Sequence, residues 1–223
     1  MTGPVVAVPF WSAAEIGSSL QATIVHLQSG GVLAYPTETV YGFGTAVDHD
    51  AVERLVQLKT RPAAKPFLLL IAGSDMLTRL DLHLTREASQ LAARHWPGPL
   101  TLVLSGGERR VPKRLRGPEG GVAVRWTSHP GLQRLLTSYG DPITSTSANR
   151  PGLPPAMTAG EIVQQWSDAT ARGIMRVLDG GRLEPSSPST VVDCTGRRPR
   201  VIRPGAISAA TLRESVPDLV GDA

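Results

Sequence analysis

Cysteine, aromatic residues and lysine are all scarce in this 223-residue chain. The single cysteine, Cys194, excludes an internal disulfide and a multi-cysteine zinc site, and it fits a reducing compartment. No run approaches the roughly 18 apolar residues that a membrane-spanning helix needs, and the N-terminus lacks the basic and apolar regions of a signal peptide. We therefore expect a soluble, cytoplasmic protein with no membrane partner.

The common signatures of phosphate and metal sites are also missing. There is no G-x-x-x-x-G-K-[ST] loop, and Gly42-Phe43-Gly44 lacks the third glycine of a dinucleotide fingerprint. H-E-x-x-H does not occur, and the five histidines are dispersed without metal-ligand spacing. A nucleotide site must be built in another way, and a zinc hydrolase is not indicated.

The composition that remains is that of a globular protein. With 41% hydrophobic and 19% charged residues, the chain can form one sizeable α/β domain or two small ones. Glycine and proline are scattered and no repeat is evident, so we expect a single domain over residues 1–223. The net charge of +4 favours anionic partners such as nucleotides, phosphates or RNA.

Apolar patterns interleave strands and helices along the chain. Strands are predicted at 32–35, 67–71, 100–104, 122–126, 143–145, 174–178, 190–194 and 200–203. Helices are predicted at 12–28, 50–59, 75–80, 86–95, 131–138, 159–166 and 208–214, the first opened by a capping box and the second capped by Asp50. Because several strands follow one another without a helix, the pattern predicts an α/β fold with a mixed sheet.

Polar clusters stand beside most of these strands. They are Thr37–Thr39, Lys59–Arg61, Arg125, Ser145–Asn149, Ser189–Thr190 and Arg203–Gly205. Ligands of α/β proteins gather outside the carboxyl ends of strands, so we hypothesise that these clusters converge on one cleft.

Each cluster also has a simpler interpretation. Ser145–Asn149 fits an ordinary turn, and Arg125 fits a surface charge at a strand end. The basic run Glu108–Arg116 fits a solvated loop, with an RNA contact as the alternative. Only the combination of clusters argues for a site.

Taken in order, seven sequence blocks resemble the Sua5/YrdC/YciO family of threonylcarbamoyl-AMP synthases. The blocks are YPTETVYGFG, KTRPAAKP, WPGPLTLVL, GVAVRWTSHP, STSAN, PSTVVD and RPGA. The resemblance covers about residues 12–208, and the chain ends soon after the last block, like the short, single-domain form of the family. It implies a twisted mixed sheet, flanked by helices, that forms a concave basic cleft.

The resemblance also implies a reaction and its partners. L-threonine, bicarbonate (or CO2) and ATP give L-threonylcarbamoyladenylate and pyrophosphate, and the product supplies the t6A37 modification of tRNA. Mg²⁺ is expected to accompany ATP, and we assign it no protein ligand. Downstream proteins that transfer the product to tRNA are expected partners, and a direct tRNA contact is possible.

Site residues follow from the same resemblance, and no covalent enzyme nucleophile is expected. The phosphate and ATP contacts are Lys59, Arg61, Ser147, Asn149 and Arg203. The L-threonine contacts are Thr37, Arg125, Ser145 and Ser189, and Lys65 and Thr190 are further cleft residues. Two alternatives stay open, a noncatalytic RNA-binding module and a paralogue that uses another small carbamoyl-type substrate.

Overall fold

Eleven strands form the framework of the computed structural model, which describes residues 8–10, 17, 19–60 and 66–221. The strands are β1 (Val8–Pro9), β2 (Val32–Tyr35), β3 (Gly42–Gly44), β4 (Leu68–Ile71), β5 (Leu82–His83), β6 (Leu100–Gly106), β7 (Val122–Trp126), β8 (Ile143–Ser147), β9 (Met175–Asp179), β10 (Thr190–Asp193) and β11 (Arg200–Arg203). They pair in the order β1-β9-β2-β3-β8-β4-β7-β6-β10-β11, and β5 adds to β6 outside this path.

The sheet is mixed, as the succession of strands predicts. The parallel pairs are β1/β9, β2/β9, β4/β7 and β6/β10, and the antiparallel pairs include β2/β3, β3/β8, β4/β8, β6/β7 and β10/β11. The predicted α/β class, with a twisted mixed sheet and helices, is confirmed. The predicted extent of one domain over 1–223 stays a prediction.

Helices connect the strands and pack against the sheet. They are α1 (Leu20–Gln28), α2 (His49–Lys59), α3 (Asp75–Arg79), α4 (Arg86–His95), α5 (Pro130–Tyr139), α6 (Ala159–Gln165), α7 (Ser167–Ala171) and α8 (Ala209–Arg213), with a 3-10 turn at Lys113–Leu115. Their apolar faces meet the buried strand residues in one continuous hydrophobic core. The largest side chains of that core include Tyr35, Phe43 and Phe67.

Local chemistry explains most helix ends. Asp48 caps α2, its carboxylate accepting the Ala51 amide at 2.9 Å, so the predicted cap at Asp50 is wrong by two residues. Thr60, with φ of 48°, ends α2 in the left-handed region. The predicted capping box at 12–15 lies outside the described residues.

The short strand β3 has no hydrophobic period, and the sequence patterns do not predict it. A Cβ on Gly44 would lie 2.0 Å from the Thr144 carbonyl oxygen, so the backbone approach of β3 to β8 requires glycine there. The glycines of Gly42-Phe43-Gly44 therefore serve strand packing.

Candidate functional site

A cleft of about 780 Å³ lies across one face of the sheet. Much of its floor comes from six neighbouring strands, β8, β4, β7, β6, β10 and β11. In β7, β6 and β10 the floor residues alternate along the strand, because successive side chains of a strand point to opposite faces. The floor residues are Ser145, Thr146 and Ser147, Leu68, Ala123 and Arg125, Thr101 and Val103, Val191 and Asp193, and Arg200, Ile202 and Arg203. The loops at 37–40, 117–121 and 186–189 contribute to its walls.

Seven residues predicted for the site line this cleft together. They are Thr37, Arg125, Ser145, Ser147, Asn149, Ser189 and Arg203. Their meeting place differs from the expected one: they converge across the sheet face, whereas the polar-cluster hypothesis places them outside the carboxyl ends of strands. The reason is the antiparallel pairing of β6 with β7 and of β4 with β8, which sends neighbouring carboxyl ends to opposite edges.

Four predicted residues are placed differently. Arg61 and Lys65 lie outside the described residues. Thr190 is fully buried, and its hydroxyl both donates to the Ile207 carbonyl (2.7 Å) and accepts from the Ile207 amide (2.9 Å). This side chain anchors the loop after β11. Lys59, at the end of α2, is also buried and points at the loop that follows β8.

The Lys59 ammonium joins three acceptors of that loop. It donates to the Ser147 carbonyl at 2.8 Å, to Asn149 Oδ1 at 2.9 Å and to the Asn149 carbonyl. Ser147 Oγ also donates to Asn149 Oδ1 (2.6 Å), and Asn149 Nδ2 donates to the Leu153 carbonyl (2.7 Å). In this structure Lys59 therefore orders the Ser147–Asn149 segment of the cleft wall, and its contact with a phosphate stays a prediction.

Among the described cations that line the cleft, Arg125 is the most deeply buried, with 5% of its surface exposed. Its Nε donates to the Gly98 carbonyl at 3.2 Å, and Nη1 donates to Thr39 Oγ1 at 3.2 Å. Nη2 lies 2.8 Å from Glu38 Oε1 as an ion pair, although the angle falls short of a hydrogen bond. A guanidinium fixed along these edges presents a planar fork that suits a carboxylate.

The partner of this ion pair, Glu38, is itself held in place. Its Oε2 accepts from Thr127 Oγ1 at 2.8 Å, and its Oε1 accepts from the Ser128 amide at 3.1 Å. Burial alone raises the pKa of the Glu38 carboxyl, but Arg125 and these hydrogen bonds outweigh it and lower the pKa below its ordinary value. Glu38 is therefore an anion at neutral pH.

The hydroxyls of Thr37 and Thr39 have different surroundings. Thr37 Oγ1 donates to the Val40 carbonyl (2.7 Å) and accepts from the amides of Thr39 and Val40 (both 3.1 Å). Since a hydroxyl offers one donor and two lone pairs, these three hydrogen bonds use the whole capacity of the Thr37 hydroxyl. Thr39 Oγ1 lies 3.0 Å from Thr37 Oγ1 and accepts from Arg125. Both residues line the cleft, and Thr39 is the better placed for a ligand because its hydroxyl is in direct contact with the Arg125 guanidinium.

A second polar group lies on the opposite side of the floor. Thr101 Oγ1 and Ser189 Oγ are 2.8 Å apart, and Arg203 Nη2 donates to the Ser189 carbonyl (2.7 Å) and to Ser189 Oγ (3.0 Å). Burial, and then repulsion from Arg125, lowers the pKa of Arg203. The guanidiniums of Arg125 and Arg203 therefore repel each other within the cleft, and an anion bound between them would relieve this repulsion.

The charge of the described lining is positive by a small margin. Three arginines stand against two carboxylates: Arg125, Arg200, Arg203, Glu119 and Asp193. One carboxylate is already engaged, because Asp193 Oδ1 accepts from the Thr195 amide (3.0 Å) and hydroxyl (2.7 Å). No group of three or more His, Cys, Asp or Glu that could hold a metal occurs within 8–10, 17, 19–60 and 66–221.

Sequence reasoning missed several residues of the site. Glu38 and Thr39 stand inside a recognised cluster, but nothing in their spacing shows that they reach Arg125, 86 residues away from Thr39. Thr101 had a usable signal, because it is the polar residue in the alternating start of Leu100–Leu104. Its position opposite Ser189 depends on the β6/β10 pairing, which is not local.

Comparison with protein families agrees with this geometry. The Sua5/YciO/YrdC family model, described as telomere recombination, matches residues 25–205, which is most of the chain and most of the cleft. The chain belongs to this family. Relatives of this chain include proteins named threonylcarbamoyl-AMP synthase. The one from Vibrio parahaemolyticus is 42% identical over 165 residues, which are 72% of this chain and 87% of that protein.

A second relative of the same name is longer than this chain. Threonylcarbamoyl-AMP synthase of Pyrococcus abyssi is 36% identical over 194 residues, which are 86% of this chain and 56% of that protein. This chain therefore spans little more than half the length of the archaeal relative.

Solved structures of the family share the fold. P. abyssi Sua5, solved in complex with L-threonine, superposes with a TM-score of 0.82 at 33% identity, covering 91% of this chain and 59% of that one. E. coli YciO gives a TM-score of 0.77 at 27% identity, covering 87% and 93%. Relatives much longer than this chain and of similar length thus share its fold.

Proposed function

We propose that this protein synthesises L-threonylcarbamoyladenylate from L-threonine, bicarbonate or CO2, and ATP, with release of pyrophosphate. The observation that carries the proposal is the buried Arg125 fork beside the hydroxyls of Thr39, Ser145 and Ser189 in one cleft. A small amino acid has one carboxylate for the fork, and hydroxyls suit its other polar groups. The names of the relatives and the threonine complex of P. abyssi Sua5 support the same substrate.

The chemistry needs no nucleophile from the protein. The threonine amine adds to CO2, forming a C–N bond and releasing a proton, which gives an N-carboxylate. An oxygen of that carboxylate then attacks the α-phosphorus of ATP, and the bond from this phosphorus to the bridging oxygen breaks to release pyrophosphate. Holding two anionic reactants in line is a task of orientation and charge stabilisation, which supplies roughly 7–11 kcal/mol in favourable cases.

The residues divide between the two substrates along the cleft. We place the threonine carboxylate on Arg125, with Thr37, Thr39, Ser145 and Ser189 around the rest of the amino acid. For ATP we propose Ser147, Asn149 and Arg203 on the described wall, with Lys59 behind it. Arg61 and Lys65 belong to the same proposal by family resemblance, and Thr190 supports the site by anchoring the loop after β11.

Mg²⁺ enters the proposal only as the counter-ion that ATP brings. The described carboxylates of the cleft, Glu119 and Asp193, do not form a metal cage, and Asp193 already accepts two hydrogen bonds from Thr195. Mg²⁺ commonly binds through phosphates and waters, so we propose no protein ligand for it.

The product defines the remaining partners. A mixed anhydride of this kind is labile, so we propose that proteins of tRNA t6A37 modification receive it, in the cytoplasm. Of the helices in the described ranges, none has both the length and the apolar character to span a bilayer.

Pyrophosphate release tests the proposal. Purified protein is incubated with Mg²⁺-ATP, bicarbonate and each common amino acid in turn, and the adenylate is identified by mass spectrometry. We expect release that requires both L-threonine and bicarbonate. Release that is unchanged without threonine would contradict the synthase proposal. Release driven by a different amino acid would instead identify a paralogue with another substrate, and tight salt-dependent RNA binding without turnover would favour an RNA-binding module.

A further inference from the structure

The buried guanidinium of Arg125 has one charged neighbour whose contribution the reaction chemistry does not explain. Glu38 is an anion beside the site proposed for an anionic substrate, so its charge alone opposes threonine binding. Yet its side chain is only 18% exposed and its oxygens accept from Thr127 Oγ1 and the Ser128 amide. A carboxylate so firmly anchored at an unfavourable place calls for another role.

The geometry around Arg125 supplies that role. Arginine has several rotatable bonds, and an unrestrained guanidinium loses rotamer entropy on binding a ligand. Here Gly98 fixes Nε, Thr39 fixes Nη1, and Glu38 lies 2.8 Å from Nη2. Of these three neighbours only Glu38 carries a charge, and it also compensates the cation in a position where burial without a partner is costly.

We infer that Glu38 is a positioning residue that locks the Arg125 fork in the orientation that accepts the carboxylate of the amino-acid substrate. This inference rests on the proposed function and extends it, because it assigns selectivity for the carboxylate to the Glu38–Arg125 pair. Thr127 acts one step further out, since its hydroxyl holds Glu38 Oε2. The lowered pKa of Glu38 agrees with a carboxylate that remains ionised throughout.

The charge of Glu38 and its positioning role predict opposite changes in the affinity for threonine when Glu38 is replaced, which makes the inference testable. If the Glu38 charge merely repelled the substrate, Glu38→Gln would strengthen threonine binding. If Glu38 positions the fork, the same change weakens threonine binding although it removes a negative charge. Calorimetric titration with L-threonine and with L-threoninamide, which lacks the carboxylate, separates these cases.

For Glu38→Gln we expect the Kd for L-threonine to rise at least about tenfold, while the affinity for L-threoninamide and the KM for ATP stay within about twofold. Glu214→Gln is the matched control, because Glu214 forms an exposed ion pair of 2.9 Å with Arg94, outside the cleft lining. It should leave all three constants unchanged. Thr127→Val, which keeps the shape of a fully buried side chain, should weaken threonine binding in the same direction by a smaller factor.

Two results would overturn the inference. One is an unchanged or tighter Kd for L-threonine in Glu38→Gln. The other is an equal loss for threonine, threoninamide and ATP, which would indicate general disruption of the cleft. If Glu38→Gln does not fold, Thr127→Val decides by the same criteria. A wild-type protein that neither binds threonine nor releases pyrophosphate would refute the proposed function itself, and this result precedes any comparison of variants.

Discussion

The change Lys59→Met tests whether Lys59 holds the cleft wall together. Methionine keeps an unbranched stem of similar length in the space beside Phe43, whose ring centroid lies 5.7 Å from the ammonium. It removes the charge and the three hydrogen bonds donated to Ser147 and Asn149. The acceptors left behind are the carbonyls of Ser147 and Asn149 and the Asn149 side-chain oxygen.

The expected loss follows from those acceptors. Hydrogen bonds from a charged donor contribute roughly 1.5–3 kcal/mol each, and buried carbonyls left without a donor add to the cost. Asn149 Oδ1 keeps its hydrogen bond from Ser147 Oγ, so the loss there is partial. Replacing the buried ammonium also removes its desolvation cost, which offsets part of this sum, so we expect a decrease of roughly 2–4 kcal/mol in the free energy of unfolding. For a chain of this size that corresponds to a Tm lower by roughly 5–15 °C.

Urea denaturation of Lys59→Met and of wild type measures this difference, with Lys113→Met as the control because Lys113 is exposed in the 3-10 turn. The KM for ATP, from pyrophosphate release, is measured beside it. We expect stability and ATP affinity to fall together, since the Ser147–Asn149 segment both depends on Lys59 and faces the cleft. A variant with unchanged stability and a raised KM for ATP would refute the anchoring role and leave Lys59 as a phosphate ligand alone.

Three further predictions concern the threonine turn and the loop after β11. Thr39→Val should raise the KM for threonine in the pyrophosphate assay, whereas Thr37→Val should mainly lower the Tm, because the Thr37 hydroxyl is used by its own turn. The pKa of Glu38 is lower in the folded state than its ordinary value of 4.5, so the ionised carboxylate stabilises the fold above that pH, and this stabilisation is lost as the pH falls through the folded-state pKa. The difference in unfolding free energy between wild type and Glu38→Gln should therefore shrink below about pH 4. Gly205→Ala should lower the Tm by several degrees, because its Cβ would lie 2.2 Å from the Pro188 carbonyl oxygen.

Local sequence patterns predict the strands well where apolar residues are contiguous. Val32–Tyr35, Val122–Trp126 and Arg200–Arg203 have the predicted bounds. The strands that escape prediction are short or polar, such as Gly42–Gly44, whose existence depends on pairing with both β2 and β8. A strand that forms only because adjacent strands pair with it has no local sequence pattern that predicts it.

In the candidate site, too, the residue types can be predicted from the sequence, whereas the contacts between distant segments cannot. Residue types and family resemblance predict Arg125, Ser189 and Arg203, and the structure brings them to one cleft. The contacts that orient them are not readable from sequence, because they join distant segments: Lys59 meets a carbonyl 88 residues away, and Arg125 is held by residues of two different loops. Local spacing cannot specify which strands become neighbours, and the neighbours decide which hydroxyls face each guanidinium.

The placement of the cleft on a sheet face divides the positions of β6, β7 and β10 into two sets, one that lines the cleft and one that lies in the core. In β6, Thr101 and Val103 face the cleft, while Leu102 and Leu104 are fully buried in the core. Substitutions in the first set change what the cleft can bind without opening cavities in the second. Substrate range can therefore diverge at every second residue of these three strands while the hydrophobic packing of the core is kept, so these are the positions to vary when the choice of amino acid is redesigned.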